Sequence, residues 1–368
     1  MSEQPEDISH VTYEQLAAIE DEFEDIDTHI SAFFANSDLP KKKKEPSTNI
    51  PTVKQQYQLS KPAYEKRAVI TSEIPNLWAI VLETCPPEID QFIQPQDSQI
   101  FAESLKSISV TRPEIDGDSK EGNPRTVSFR FEFAPNDFFA DTVLEKTFHW
   151  RRASDGFTGL VSEPVPVQWK KGKDLSEGLN DMAVKLFEAR KKAGDFLKAD
   201  LPEYEALAEK LTTANAINTS FFTWFGFVSG RRYISAEESE KAEAEYKEKK
   251  AKGEKVAAGE DEDEDEDDEA EDKNDDSVVE VHEEGEQLAI SFAEDLWPGA
   301  IKYFTQAQGM DDMSDIDFEE MDVEDESDDD GEGEAVDIRA LVGGKGGSSK
   351  GDRKPSGGAP PAAKKQKH

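Results

Sequence analysis

Five histidines, one cysteine, a glycine-rich stretch and long acidic runs are the residues of this chain that could do chemistry. The histidines are His10, His29, His149, His282 and His368; no two stand four residues apart, and no Cys/His set has zinc spacing. Cys85, in Thr84-Cys85-Pro86-Pro87, has no histidine in its motif and reads as a buried, inert thiol. Gly343–Gly351 (GGKGGSSKG) lacks the register of a phosphate loop, follows no apolar strand and opens no helix, so it reads as linker. Carboxylates are too abundant for the closeness of any two to signal acid–base catalysis. The acidic runs also lack the calcium-hand pattern and would support only weak, nonspecific divalent-cation binding. These residues call for no catalysis, no metal and no cofactor, and the expectation is a protein that is not an enzyme.

What remains is charge. The 368 residues carry 82 Asp and Glu against 43 Lys and Arg, a formal net charge of -39. Such an excess repels nucleic acid and anionic membrane and attracts basic proteins. Only 35% of the residues are hydrophobic, so a good part of the chain is too polar to bury a core. A single cysteine excludes an intrachain disulfide framework and suits a reducing compartment. MSEQPEDISH has no secretory pattern, and no run of about 18 apolar residues is present, so a soluble intracellular protein is expected.

The elements that would position such a surface follow from periodicity. Leu16, Ile19, Phe23, Ile26, Ile30 and Phe33 alternate at three and four residues, the rhythm of a coiled-coil helix. An isolated helix of this length is marginal in water, so the stripe must bury itself on its own domain or on a helix of a second subunit. Pro40, Pro46 and Pro51 exclude a continuous helix through Asn36–Pro51. Helical character resumes from about Val53 to Ile74, with a kink expected at Pro62. Short helices are expected at Leu77–Leu82 and Ser98–Leu105, then strands at Ser107–Arg112, Thr126–Phe133, Leu144–Arg151 and Leu160–Trp169. In the third strand Leu144, Lys146, Phe148 and Trp150 share one face, and Pro164 and Pro166 put the fourth at an edge. Short links make this an antiparallel meander of about four strands.

Leu175–Leu197 and Pro202–Leu211 have helical spacing, and Phe221, Phe222, Trp224 and Phe225 form the densest aromatic cluster. Base stacking is one use of exposed aromatics, but in so acidic a chain a core role is expected. Glu237–Lys252 has almost no apolar face and is expected to project into solvent. An acidic loop at about 255–280 and everything past 309, acidic and then basic, are expected to be disordered. Between them, Leu288, Ile290, Phe292, Ala293, Leu296 and Trp297 make an amphipathic helix that Pro298 breaks.

The order of these pieces resembles the nucleosome assembly protein family, most closely its SET-like branch. The residues that carry the resemblance are Tyr64-Glu-Lys-Arg67, Ile74-Pro-Asn-Leu-Trp78, Trp169-Lys-Lys-Gly-Lys-Asp-Leu175, Ser220-Phe-Phe-Thr-Trp-Phe225 and Asp295-Leu-Trp-Pro298, spread over roughly residues 11–308. The resemblance implies an α+β fold: a long N-terminal dimerisation helix at 11–74, interrupted at about 36–51, and an earmuff domain at 75–308 with a helix-covered antiparallel sheet. Residues 1–10 and the acidic C-terminal tail stand outside it. It also implies a homodimer paired through the Leu16–Phe33 stripe, and a histone chaperone that binds core histones and promotes nucleosome assembly and disassembly without ATP. No direct nucleic-acid or membrane binding is expected. The tail carboxylates assigned to histone binding are Asp311, Asp312, Asp315, Asp317, Glu319, Glu320, Asp322, Glu324, Asp325 and Glu326. Lys41, Lys42, Lys43 and Lys44, with Lys364, Lys365 and Lys367, resemble nuclear import signals and point to a nuclear protein that can shuttle through the cytoplasm. The resemblance also allows a regulatory scaffold or inhibitor of a phosphatase or acetyltransferase. A tail that merely solubilises is the plain alternative for the acidic run. The 36–51 interruption departs from the family's single continuous helix.

Overall fold

A 26-residue helix, α1 (His10–Ala35), comes first among the described residues, and α2 (Ile50–Thr71) follows it. The computed structural model describes residues 10–35, 50–116, 122–213, 220–252 and 279–316. Contacts between the two helices run in opposite numerical order: Glu22 meets Lys66, Phe23 meets Tyr64 and Asp27 meets Gln56. They form an antiparallel hairpin within one chain. The stripe read from the sequence is what closes it: Leu16, Ile19 and Ile30 are buried, and Phe23 and Ile26 are half-buried. Of the two ways of burying that stripe, the described chain uses its own domain, because the break before α2 lets α1 turn back.

α2 starts at Ile50 rather than Val53, with Pro51 in its first turn, where a missing N–H removes no helical bond. Pro62 lies inside it. The helix ends before Pro75, and Asn76 takes the left-handed conformation (φ 57°) that turns the chain into α3 (Leu77–Glu83). A four-residue turn, α4 (Pro87–Asp90), and α5 (Pro95–Ser104) lead to the sheet.

The sheet is a four-stranded antiparallel meander, β1 (Leu105–Thr111), β2 (Val127–Phe133), β3 (Val143–Arg152) and β4 (Thr158–Ser162), in the order β1-β2-β3-β4. Register places Ile108, Phe131 and Leu144 in one row and Val110, Phe129 and Lys146 in the next. The alternating residues of the sequence therefore make one continuous inner face. β4 is shorter than the expected Leu160–Trp169 strand. Past Ser162 the chain stays extended, and Val165 N–H bonds the Phe225 carbonyl instead, since Pro164 and Pro166 have no N–H for a ladder.

α6 (Leu179–Ala193) and α7 (Pro202–Thr213) pair on a small satellite core of Leu179, Ala183, Leu186 and Leu207. α6 starts later and stops earlier than its spacing suggested. The Asp174 carboxylate holds Ser176 and Gly178 in a turn before it, and Gly194, left-handed at φ 71°, caps it. A 3-10 turn, Phe221–Gly226, lies under the sheet. α8 (Ala236–Lys252) corrects the expectation of a solvated rod. Ser239 and Ala242 are buried, Glu243 pairs with Arg152 at 2.9 Å, and the Arg152 guanidinium lies 4.0 Å from the Tyr246 ring. These four stand at i, i+3, i+4 and i+7, so a polar stripe docks the helix on β3. α9 (Gly285–Ser291) runs through a π-helical turn, Phe292–Leu296, to the Pro298 break. α10 (Ala300–Ile316) then carries the helical backbone eight residues into the 309–368 tail, through a stretch free of proline. Among the described residues no helix is long and apolar enough to cross a membrane.

Candidate functional site

Three buried polar anchors, each built from a motif of the sequence, fix the scaffold that carries the acidic surface. The first is Arg67. Its guanidinium is buried without a carboxylate partner among the described residues; Nη1 donates to the carbonyl oxygens of Trp297 (2.6 Å) and Pro298 (3.2 Å). Four rings surround it, with centroids at 4.7 Å (Trp297), 4.8 Å (Tyr64), 5.8 Å (Trp78) and 5.9 Å (Phe23). Burial pulls the Arg67 pKa down to about 10, which leaves it charged at neutral pH. The face of an aromatic ring is electron-rich, so the box takes the place of a counter-ion. Tyr64-Glu-Lys-Arg67, the Trp78 of the Ile74 motif and Asp295-Leu-Trp-Pro298 thus meet at one point, and α1 joins through Phe23.

The second anchor is Asp97. Its carboxylate accepts from Ser220 Oγ (2.5 Å), Phe221 N–H (2.8 Å) and Gln94 N–H (2.9 Å), tying the start of α5 to the 3-10 turn. Burial raises its pKa, and these donors oppose the rise. The turn itself is core: Phe221, Phe222, Trp224 and Phe225 have no measurable exposure. Trp224 stacks on Phe148 (5.2 Å) and Phe292 (5.7 Å), and its Nε1–H bonds the Gly285 carbonyl at 2.9 Å.

The third is Lys146, on the inner face of β3. Nζ donates to the carbonyls of Phe227 (2.8 Å), Phe225 (3.1 Å) and Glu163 (3.2 Å), one for each ammonium proton. Burial pulls its pKa down to about 7, and the Glu280 charge works against that. Glu280 in turn is raised to about 7 by burial, while its oxygens accept from the N–H groups of Val228, Ser229 and Val281 at 2.8–3.1 Å. His282, beside it, is held neutral by burial, with its pKa down at about 3.

α1 presents an acidic surface. Its sequence HVTYEQLAAIEDEFEDIDTHISAFFA has seven carboxylates and neither Lys nor Arg. Glu22 is bridged by Lys66 at 2.7 Å; Glu20, Glu24, Asp25 and Asp27 are exposed. Among the described residues no group of three or more His, Cys, Asp or Glu is arranged for a metal ion. Cys85 is half-buried, its thiol pushed up to about 12, chiefly by burial.

Of the residues picked from the sequence, Leu16, Ile19 and Phe23 join the main core, and Ile30 is buried. The side chain of Phe33 lies outside the described residues. Asp311, Asp312 and Asp315 fall on the backbone of α10, with side chains outside the description. Asp317 and the tail carboxylates after it, the lysines Lys41–Lys44, and Lys364, Lys365 and Lys367 lie outside the described residues as well. Arg67 entered the sequence reading as the end of the Tyr64-Glu-Lys-Arg67 motif, whereas Asp97 and Glu280 were not singled out by pattern. Lys146 had a signal, a lysine among Leu144, Phe148 and Trp150 on an inward face.

A profile described as "Nucleosome assembly protein (NAP)" matches residues 2–307. The chain is 30% identical over 205 residues to NAP1-related protein 2 of Arabidopsis thaliana, covering 55% of this chain and 65% of that protein. It is 32% identical over 133 residues to Protein SET of Drosophila melanogaster, covering 35% of this chain and 46% of that one. The matched stretches thus span about half to two-thirds of these relatives. Among solved structures it is similar to Ccp1 (27% identity, 71% of this chain and 89% of that chain, TM-score 0.40). It is also similar to the Vps75 histone chaperone (18% identity, 82% and 99%, TM-score 0.40). With the profile spanning most of the chain, and all five motifs lying inside it, this protein belongs to the nucleosome assembly protein family.

Proposed function

We propose that this protein is a histone chaperone that holds core histones on its carboxylate-rich surfaces and releases them to DNA without ATP. The observation that supports this best is α1, a 26-residue helix with seven carboxylates and no Lys or Arg, held on the scaffold through the aromatic box around Arg67. DNA neutralises histones through phosphates, and an acidic helix followed by an acidic tail offers the same charge in competition. Exposed ion pairs contribute about 0–1 kcal/mol each, so affinity comes from many of them acting together. The tail residues Asp311 to Glu326 supply reach, screened beyond about 8 Å at physiological salt. Deleting Met310–Glu334 should lower both the affinity for purified core histones and its salt dependence. Unchanged affinity and slope would remove the tail from the mechanism, and histone binding no tighter than to polyglutamate of equal charge would end the reading.

A homodimer is part of the proposal, with its seat moved to α2. Leu16, Ile19 and Ile30 of the α1 stripe are buried inside the chain, whereas Val69 and Leu59, both on α2, are 65% and 39% exposed. Sedimentation equilibrium should give a dimer that Val69→Glu weakens; a monomeric parent protein would discard the assignment. Nuclear import through Lys41–Lys44 or the Lys364–Lys367 run is proposed on sequence alone, and a neutral reporter carrying each run tests it. The division at 1–10, 11–74, 75–308 and 309–368 stands as a proposal too. Limited proteolysis should cut first within 36–51, within 255–280 and beyond 316.

A further inference from the structure

α1 does more than close a hairpin: it forms one wall of an open groove of about 470 Å³ against the corner that precedes α10. The floor is apolar, made by Phe23, Pro298 and Ile301. Phe23 is fixed there by Tyr64, 4.7 Å away, and Pro298 by its carbonyl bond to Arg67. The wall is acidic: Glu20, Glu24 and Asp27 stand at i, i+4 and i+7, on one face of the helix. Among the described residues no basic side chain lines the groove. The contrast within α1 is direct. Glu22, on the side that faces α2, is answered by Lys66, whereas Asp27 meets the Gln56 amide of α2 and the groove lining offers Glu20 and Glu24 only carboxylates, hydroxyls and carbon. Partial burial raises the pKa of both Glu20 and Asp27; the Asp21 charge adds to the first, and the Gln56 hydrogen bond opposes the second.

An apolar floor beside a carboxylate wall matches one class of side chain, an aliphatic stem with a cationic head. A hydrated metal ion has no use for the floor, and a phosphate is repelled by the wall. The volume falls in the range of sites that enclose a small ligand and accommodates long side chains from an extended segment. We propose that this groove is a docking site for a lysine-bearing extended segment of a basic protein partner, with lysine stems on Phe23, Pro298 and Ile301 and ammonium groups on Glu20, Glu24 and Asp27. The inference rests on the chaperone reading and gives that reading a defined seat on the folded scaffold, separate from the tail.

The test uses the full chain and a fluorescent lysine–alanine peptide, read by anisotropy at near-physiological salt, with core-histone binding measured in parallel. Glu20→Gln/Glu24→Gln/Asp27→Asn should weaken peptide binding about tenfold, the scale of three exposed ion pairs. A control of equal charge change, Asp21→Asn/Asp25→Asn/Glu83→Gln, should weaken it less than about threefold, the scale of screened charge at a distance. Thr28→Arg, which sets a cation in the groove without removing an acid, should weaken it as the first triple does. Equal losses from the two triples would overturn the site. So would a gain in peptide affinity on replacing Lys41–Lys44 with alanine that vanishes in the groove triple, because the occupant would then be the chain's own lysine run. If groove variants are silent while core histones still bind, the inference fails alone. If the parent protein binds neither probe, the chaperone reading fails with it.

Discussion

Replacing Arg67 with methionine tests whether the box around it holds the N-terminal hairpin to the rest of the fold. Methionine keeps the aliphatic volume and removes the guanidinium. Two charge-assisted bonds disappear, to the carbonyls of Trp297 and Pro298, each of the kind that contributes about 1.5–3 kcal/mol. Cation–π attraction to Tyr64 and Trp297 goes with them, about 0.5–2 kcal/mol. Against this, a cation buried without a carboxylate partner no longer has to be desolvated, which offsets several kcal/mol. The two carbonyls are left without a donor, a cost already contained in those two bonds. The balance is a net destabilisation of about 3 kcal/mol, or roughly 6–12 °C in Tm for a domain of this size. Urea unfolding followed by Trp fluorescence and by far-UV circular dichroism gives both the free energy and the slope. Arg67→Lys should fall between the two proteins, since an ammonium keeps the charge but loses the planar fork. A double-mutant cycle with Tyr64→Leu should show coupling of about 0.5–2 kcal/mol. A methionine variant within about 1 kcal/mol of the parent, with unchanged slope, would mean that the box is incidental packing.

Asp97→Ala strands the Phe221 and Gln94 N–H groups and frees Ser220, and should cost about 3 kcal/mol in the same urea assay; a neutral result would show that the aromatic turn holds itself. Gly285→Ala brings a Cβ to 2.3 Å from the Phe227 ring and should destabilise by about 1–3 kcal/mol, read as a drop in Tm, although its backbone conformation is ordinary. The fold should be labile to acid in two steps. His282, pulled down to about 3 by burial, stays neutral while the unfolded chain takes up a proton, so its contribution is lost as pH falls from about 6.5 towards 3. At Glu114 burial pushes upward, but donors including Thr126, Asn123 and Arg151 outweigh it and hold the pKa at about 2; that contribution is present above about 4.5 and lost as pH falls towards 2. Tm measured against pH should therefore lose its slope between about 6.5 and 4.5 in His282→Gln, and a profile parallel to the parent's would show that another group carries it.

Much of the fold was readable in one dimension because its signals are local. The alternation in Val127–Phe133 and in Leu144–Arg151 fixes which face is inward, and short turns leave an antiparallel meander as the simple pairing. The aromatic density of Phe221–Phe225, set in so acidic a chain, already argued for a core. Docking of α8 was missed because its contact stripe of Ser239, Ala242, Glu243 and Tyr246 is polar. A hydrophobic pattern cannot report a helix held by an Arg–Glu pair and a cation over a ring.

Two properties of the chain were complete in its sequence alone: a charge of -39 and the ordered words that mark the family. Charge and motif are sums and orders along the chain, and folding does not change them. Where the Leu16–Ile30 stripe is buried, why Arg67 is met by rings and carbonyls among the described residues, and which carboxylates of α1 face Lys66 and which face the groove were decided only by the tertiary structure. Each of these depends on what the far end of the chain brings up against the helix. Trp297 and Pro298 stand some 230 residues from Arg67, a separation across which no local periodicity carries information.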